Sequence, residues 1–198
     1  MIEIMFIQPV VEDIVQEQIF LRIFGEYRPD VTLYSAFGKK GKSYIKDKIR
    51  GFNDASRYLP YVVMTDLDRS ACPPALIEDW IDFPISSSMM FRIAVVEAEA
   101  WLIADRKGLS GYIGVPADKI PTDSEVIKNP KEFIVSLVRK SRNKTLKMDI
   151  VPEGTSVVGP GYNLIMEDFI VNHWNIEEAL NHSRSLKKAV ERVKGYLK

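Results

Sequence analysis

Four short apolar runs alternate with helical patterns over the first half of the chain, and this alternation constrains the fold more than any other feature. The runs lie at 2–11, 31–34, 61–65 and 89–96, and apolar residues at helical spacing follow each of them. Strands that alternate with helices form a mostly parallel sheet with helices on its faces. We therefore predict an α/β fold.

The second half of the chain has a different character. No strand is evident after residue 100, and proline-rich segments separate predicted helices at 131–140, 166–173, 176–182 and 185–198. We predict an α/β domain at 1–107 and a helical extension at 108–198 that packs on it. The absence of a long flexible linker leaves open that both belong to one continuous domain.

Charge and composition exclude some classes of protein. Lys and Arg together number 27, as do Asp and Glu, so the net charge is zero and does not favour a protein that coats nucleic acid. A local basic groove remains compatible with that balance. The single cysteine, Cys72, and the lack of a signal peptide or a long apolar run lead us to expect a cytoplasmic protein without a membrane segment.

The pair Asp66 and Asp68 follows the apolar run at 61–65. Residues two apart on a strand share a face, so both carboxylates are expected to point into one crevice at the carboxyl end of the sheet. Ligands of open α/β sheets bind in that crevice. A divalent cation is the usual means of neutralising two carboxylates held this close.

Two further strand-to-helix junctions are also acidic. Glu12 and Glu17 follow the first run, and Glu97 and Glu99 follow the fourth. Carboxylate oxygens suit Mg²⁺ or Mn²⁺, so these four residues join Asp66 and Asp68 as candidate metal ligands. An acid in the first turn of a helix is also favoured by the helix dipole, which gives each glutamate an ordinary structural alternative.

A basic, glycine-spaced loop follows the second run. It carries Lys39, Lys40 and Lys42, and it is expected at the same edge of the sheet as the acidic junctions. These lysines are candidates for binding a nucleic-acid backbone. A solvated loop whose lysines serve solubility explains them equally well.

Several stretches resemble a family of uncharacterised prokaryotic Toprim-like proteins, related to the Toprim domain of overcoming-lysogenization-defect (OLD) nucleases. Toprim domains have an acid after the first strand and Asp-x-Asp after the third, as at Glu12 and Asp66–Asp68 here. The most specific block is Glu-x-Glu-Ala-Trp-Leu-x-Ala-Asp at 97–105. The resemblance covers most of the chain, and its stretches are Val11–Asp13, Thr65–Asp68, Phe91–Val95, Glu97–Asp105, Gly159–Asn163 and Ser183–Leu186.

The resemblance implies a Toprim-like, Rossmann-like fold and a metal-dependent nuclease or phosphodiesterase, in a phage-defence or mobile-element setting. It implies acid–base chemistry for Glu12 and metal binding for Asp66 and Asp68, with Glu97 and Glu99 as further ligands. The chain has no phosphate loop of the Walker type, so an ATPase would be a separate subunit. Nucleic acid is the implied substrate, and the sequence does not distinguish DNA from RNA.

Two alternatives remain open. A phosphatase of the haloacid-dehalogenase type would use Asp66 as nucleophile and Asp68 as acid. A non-catalytic adaptor subunit of an ATPase–nuclease system is compatible with the neutral charge and with Asp13, which stands where the common Toprim motif has glycine.

Overall fold

A computed structural model describes residues 4–197, and its contacts divide the chain into two compact units. The first unit comprises the chain up to Val95 together with the residues from Lys188 onward, and the second comprises Val96–Lys187. The elements of the first unit are β1 Met5–Val11, α1 Ile14–Tyr27, β2 Val31–Leu33, β3 Phe37–Gly38, α2 Lys42–Ala55, β4 Tyr61–Asp66, α3 Pro73–Trp80 and β5 Met89–Ala94.

The regular elements described in the second unit are all helices. It contains α4 Glu99–Ala104, α5 Arg106–Ile113, α6 Pro130–Lys140, α7 Lys144–Ile150, α8 Tyr162–Asn172 and α9 Ile176–Ala179, with short 3₁₀ turns at Ala117–Lys119 and Ser124–Val126. The last helix, α10 Arg184–Lys194, is divided between the units after Lys187.

The five strands form one parallel sheet in the order β2-β1-β4-β5, with the two-residue strand β3 also paired to β1. This confirms the predicted α/β class. From β1 the chain crosses to β2 on one side, whereas from β4 it crosses to β5 on the other. The carboxyl ends of β1 and β4 are therefore a topological switch point, where a crevice opens in sheets of this kind.

Pro9 explains why β2 and β3 are two short strands. Proline has no N–H to donate to a neighbouring strand. The neighbour pairs with β1 before Pro9 as β2 and after it as β3. In the gap, the carbonyl of Ser35 accepts from the side chain of Gln8 at 2.9 Å, and the N–H of Ala36 donates to Glu17 at 2.8 Å. The proline thus interrupts the neighbouring strand, while β1 itself continues to Val11.

Helices cover both faces of the sheet in the first unit. One apolar cluster joins Val10, Val63 and Ile93 of three strands to α2 and α3, through residues that include Ile45 and Trp80. Side chains alternate along each strand, so the opposite face carries Ile7, Val62, Met64 and Met90, all buried. Right-handed crossovers in opposite directions place α1 on that second face.

The core of the second unit is built around α4. Residues Ala100–Ala104 are fully buried, and α4 packs against α6 and α9. The indole N–H of Trp101 donates to the hydroxyl of Ser185 at 2.7 Å. These contacts place α4 in the second unit, so the division falls after Val95 and differs from the boundary predicted after residue 107.

Several element predictions differ from the structure. β3 lies in the segment predicted as a basic loop, and α7 lies in a basic stretch that the sequence analysis did not identify as a helix. The helical pattern that follows the run at 89–96 forms two helices, because Asp105 ends α4 and caps α5 by accepting from Gly108 N–H at 2.9 Å. Residues 2, 3 and 198 of the predicted terminal elements lie outside the described range.

Among the described helices, none has both the length and the apolar character needed to cross a bilayer.

Candidate functional site at the ends of strands β1 and β4

Glu12 follows β1 directly, and its carboxylate lies at the end of the adjacent strand β4. Its Oε1 accepts hydrogen bonds from the hydroxyl of Thr65 and from the backbone N–H of Asp66, the latter at 2.8 Å. The parallel pairing of β1 and β4 brings their carboxyl ends side by side. Glu12 thereby contacts Thr65 and Asp66, which lie 53 and 54 positions later in the sequence.

Gln16, which is fully buried in α1, links Glu12 to Asp66. Its Oε1 accepts from the N–H of Glu12 at 2.9 Å, and its Nε2 donates to Asp66 Oδ1 at 3.0 Å. Asp13 is the N-cap of α1, with φ −149°, and accepts from the N–H of Gln16 at 3.0 Å. Any residue adopts this extended backbone, so the turn after Glu12 does not require the glycine of the common Toprim motif.

Asp68 lies beyond β4 with its backbone in the left-handed region, at φ 50°. The strand ends at Asp66, so the alternation expected to place both carboxylates on one face does not extend to Asp68. Asp68 Oδ2 instead accepts from Lys42 Nζ at 2.9 Å. The same ammonium donates to the carbonyls of Asp66 and Leu67 at 2.7 and 3.2 Å. We call Glu12, Asp66, Asp68 and Lys42 the acidic edge.

The carboxyl group of Glu12 is held in an environment that favours its neutral form. Burial raises the pKa of Glu12 above its ordinary value of 4.5, and the negative charge of Asp68 raises it further. The hydrogen bonds from Thr65 and Asp66 and the charge of Lys42 oppose that rise. A carboxyl group with a raised pKa exchanges its proton closer to neutral pH, which suits acid–base chemistry.

No cation cage of three or more His, Cys, Asp or Glu side chains is present in residues 4–197. At the acidic edge the charge of Asp68 is balanced by the ammonium group of Lys42. Lys42 pairs with Asp68 and donates to the carbonyls of Asp66 and Leu67 at the end of β4.

Glu17 serves the interrupted strand rather than the acidic edge. Its Oε1 accepts from the N–H of Ala36, and its Oε2 pairs with Lys39 Nζ at 2.9 Å. The two carboxylate oxygens therefore hold the chain on both sides of β3, at Ala36 before it and at Lys39 after it, and this positions the loop that leads to Lys42.

The three lysines predicted to bind nucleic acid lie in different surroundings. Lys39 and Lys42 pair with acidic side chains, whereas Lys40 is exposed and its Nζ lies 5.3 Å from the centre of the Tyr44 ring.

Glu97 and Glu99 lie in the second unit, beside Lys131. Glu97 Oε2 accepts from the N–H of Lys131 in the first turn of α6 at 3.1 Å. Glu99 is buried, and its Oε1 lies 3.5 Å from Lys131 Nζ. The sequence left open that both are ordinary acids of a first helical turn, and Glu99 does lie in the first turn of α4, where it is buried beside Lys131.

The sequence analysis missed Thr65, Gln16 and the position of Lys42 against Asp68. Thr65 precedes Asp66 in an apolar run, and Gln16 resembles any polar residue of a first turn. The sequence placed Lys42 in a loop, whereas it is the first residue of α2, and no sequence pattern indicated that its ammonium meets Asp68.

No protein-family model, curated protein or solved structure matches the chain. The relation to Toprim proteins and OLD nucleases therefore stays a prediction from the sequence.

Proposed function

We propose that the chain is a Mg²⁺- or Mn²⁺-dependent phosphodiesterase that acts on nucleic acid, with the acidic edge as its centre. The observation that carries this proposal is the contact between Glu12 and the N–H of Asp66 at the switch point. It holds a carboxyl group of raised pKa at the end of β4, close to the charge of Asp68 and at the place where ligands of open α/β sheets bind.

The donor atoms of Asp66 and Asp68 suit a hard cation. Mg²⁺ commonly takes one or two protein carboxylates and keeps several waters, so it does not need a cage of three acids. Asp68 has a side chain that is 43% exposed, and a divalent ion would take the place of the Lys42 ammonium on it. Such an ion, when bound, lowers the pKa of water and polarises phosphate oxygens.

The remaining residues of the acidic edge have distinct roles under this proposal. Glu12 takes up or gives a proton at its carboxylate. Lys42, once it leaves Asp68, pairs with a phosphate oxygen of the substrate, and exposed Lys40 lies in the same loop to contact the backbone beyond it. Glu97 and Glu99 stay candidate ligands from the sequence alone, as do the separate ATPase subunit and the phage-defence setting.

Hydrolysis of plasmid DNA and of single-stranded RNA in the presence of Mn²⁺ tests the proposal. The wild-type chain is expected to cleave at least one of the two, and EDTA is expected to stop the reaction. Asp68→Asn should lower the rate about 100-fold or more, because it weakens the metal ligand. Glu12→Gln should lower it about 10²- to 10⁴-fold, the usual contribution of a proton-transfer group.

Asp79→Asn is the matched control, since Asp79 is an exposed aspartate that pairs with Lys46 in the same unit. Its rate should equal that of the wild type. Failure of Mn²⁺ to support cleavage, or an Asp68→Asn variant as fast as the wild type, would contradict the proposal. A chain that binds no Mn²⁺ in calorimetry would instead favour the adaptor alternative.

A further inference from the structure

Arg92 is a charged residue within the apolar run that forms β5. Its guanidinium is half-buried, and its Nε is fully buried without a hydrogen-bond partner among residues 4–197. Burying a charge without a partner is costly, and folded proteins normally pair such groups. An arginine left in this state inside a strand needs an explanation other than packing.

A second arginine, which is exposed, carries a like charge close to Arg92. Arg192 of α10 belongs to the same unit and, like Arg92, has no carboxylate partner within the described range. Burial lowers the pKa of Arg92, and the positive charge of Arg192 lowers it further. By contrast, Arg28 and Arg50 each form an ion pair with an aspartate at 2.6 Å.

Both arginines line one cavity of about 530 Å³ beside β5. Ser86 and Ser87 add hydroxyl groups to its wall, and Ile77 and Phe91 add apolar surface. None of the residues that line it belongs to the acidic edge. The cavity therefore offers two cations, hydroxyl donors and an apolar wall in one space.

We propose that this cavity binds a small organic phosphate, with Arg92 and Arg192 holding the phosphate group. Guanidinium groups present paired N–H donors that match phosphate oxygens, and two of them balance a dianion. The bound anion would relieve the repulsion between the arginines. The apolar wall would take the organic part of the ligand. This inference is independent of the proposed hydrolysis at the acidic edge.

Calorimetric titration with phenyl phosphate tests the inference, because that probe combines a phosphate dianion with an apolar ring. We expect saturable binding that is tighter than for inorganic phosphate, and none for phenol. Arg192→Met should weaken phenyl phosphate at least about tenfold, since one of the two cations is lost. Arg57→Met, which changes an exposed arginine of the same unit, should leave the affinity unchanged.

Thermal unfolding of Arg92→Met separates a binding role from a structural one. Removing this half-buried charge, whose Nε has no partner among residues 4–197, should raise the midpoint in the absence of ligand, and phenyl phosphate should no longer raise it further. A lower midpoint for Arg92→Met would assign Arg92 to the fold and overturn the inference. Absence of saturable phenyl phosphate binding to the wild type, or equal affinity in Arg192→Met, would overturn it too.

Discussion

The acidic edge and the cavity lined by Arg92 and Arg192, which we call the arginine cavity, are two charged clusters in one compact unit. They differ in how their charge is balanced. At the acidic edge, Lys42 pairs with Asp68, while hydrogen bonds reach Glu12 and Asp66. In the arginine cavity, Arg92 and Arg192 lack a carboxylate within the described chain. The first cluster carries its own counter-charge, and the second does not.

This difference shows that the way in which a charged cluster binds a ligand depends on the group that already neutralises its charge. A cluster with an internal counter-ion is stable when empty, so any ligand must displace that ion. A cluster without one has no internal ion to displace, so a ligand of opposite charge binds it directly and thereby stabilises the fold. Removing the counter-charge Lys42 should consequently lower stability, whereas removing Arg92 should raise it.

Gly38→Ala should disrupt the acidic edge and cause the largest loss in the free energy of unfolding among the variants discussed. Gly38 has φ +94°, and a Cβ there would overlap the carbonyl oxygen of Val11. The β3–β1 pairing that leads the chain to Lys42 would be disrupted, at a cost of about 3 kcal/mol in the free energy of unfolding. Urea unfolding measures that cost, and phenyl phosphate binding at the arginine cavity should persist below the transition.

Gly51→Ala is the control for that substitution. Gly51 lies within α2, and a Cβ there would meet nothing within 4 Å. The change should stabilise the protein by about 0.5–1 kcal/mol through helix propensity. If both alanine variants unfold at the same urea concentration, the tight approach at Gly38 is not what holds the loop.

Lys42→Met should lower the free energy of unfolding by less than Gly38→Ala does, and it tests directly whether Lys42 balances the charge of the acidic edge. It removes the counter-charge of Asp68 and the donor to two carbonyls, which we expect to cost about 1–2 kcal/mol. Mn²⁺ should restore part of that loss, because a divalent ion can replace the ammonium. Lys46→Met, which alters only an exposed ion pair, should change stability by less than about 0.5 kcal/mol. Equal losses in the two variants would argue against a special role for Lys42.

Glu12→Gln should produce the smallest effect on stability, and one that depends on pH. Because the folded state raises the pKa of Glu12, the native protein holds that proton more tightly than the unfolded chain. The stabilisation this provides is complete below about pH 4.5 and is lost as the pH rises through the folded pKa. Glutamine keeps an acceptor for Thr65 and Asp66 without the charge, so the variant should gain stability over the wild type as pH increases.

Urea unfolding at acidic and neutral pH measures this difference. Glu153→Gln, at an exposed position, should show no comparable pH dependence. A Glu12→Gln variant that is less stable than the wild type at neutral pH would mean that the ionised carboxylate is favoured by its surroundings.

The sequence predicted what depends on periodicity and topology. Apolar runs located β1, β2, β4 and β5, and the alternation with helices predicted the parallel sheet. Parallel strands end at one edge, so Glu12 and Asp66 were expected close together, and they are in contact. These features follow from local patterns repeated over many residues.

What escaped prediction depends on single side chains that meet across the fold. The gap opposite Pro9 can be predicted only when the strand that pairs with β1 is known. The hydrogen bond from the N–H of Ala36 to Glu17 depends on the same knowledge. The left-handed backbone of Asp68 ended the alternation that the strand pattern implied. Arg92 and Arg192 are 100 positions apart, so no local pattern could bring them together.

Strand β5 is the edge strand on one side of the sheet, and no other described strand pairs with its outer edge. An open strand edge can recruit a strand from another molecule and begin aggregation. Arginines beside that edge oppose such pairing, since two copies would bring like charges face to face. The same charges therefore help to prevent association between copies. We expect Arg92→Met to unfold at a higher temperature than the wild type but to aggregate more readily at high protein concentration.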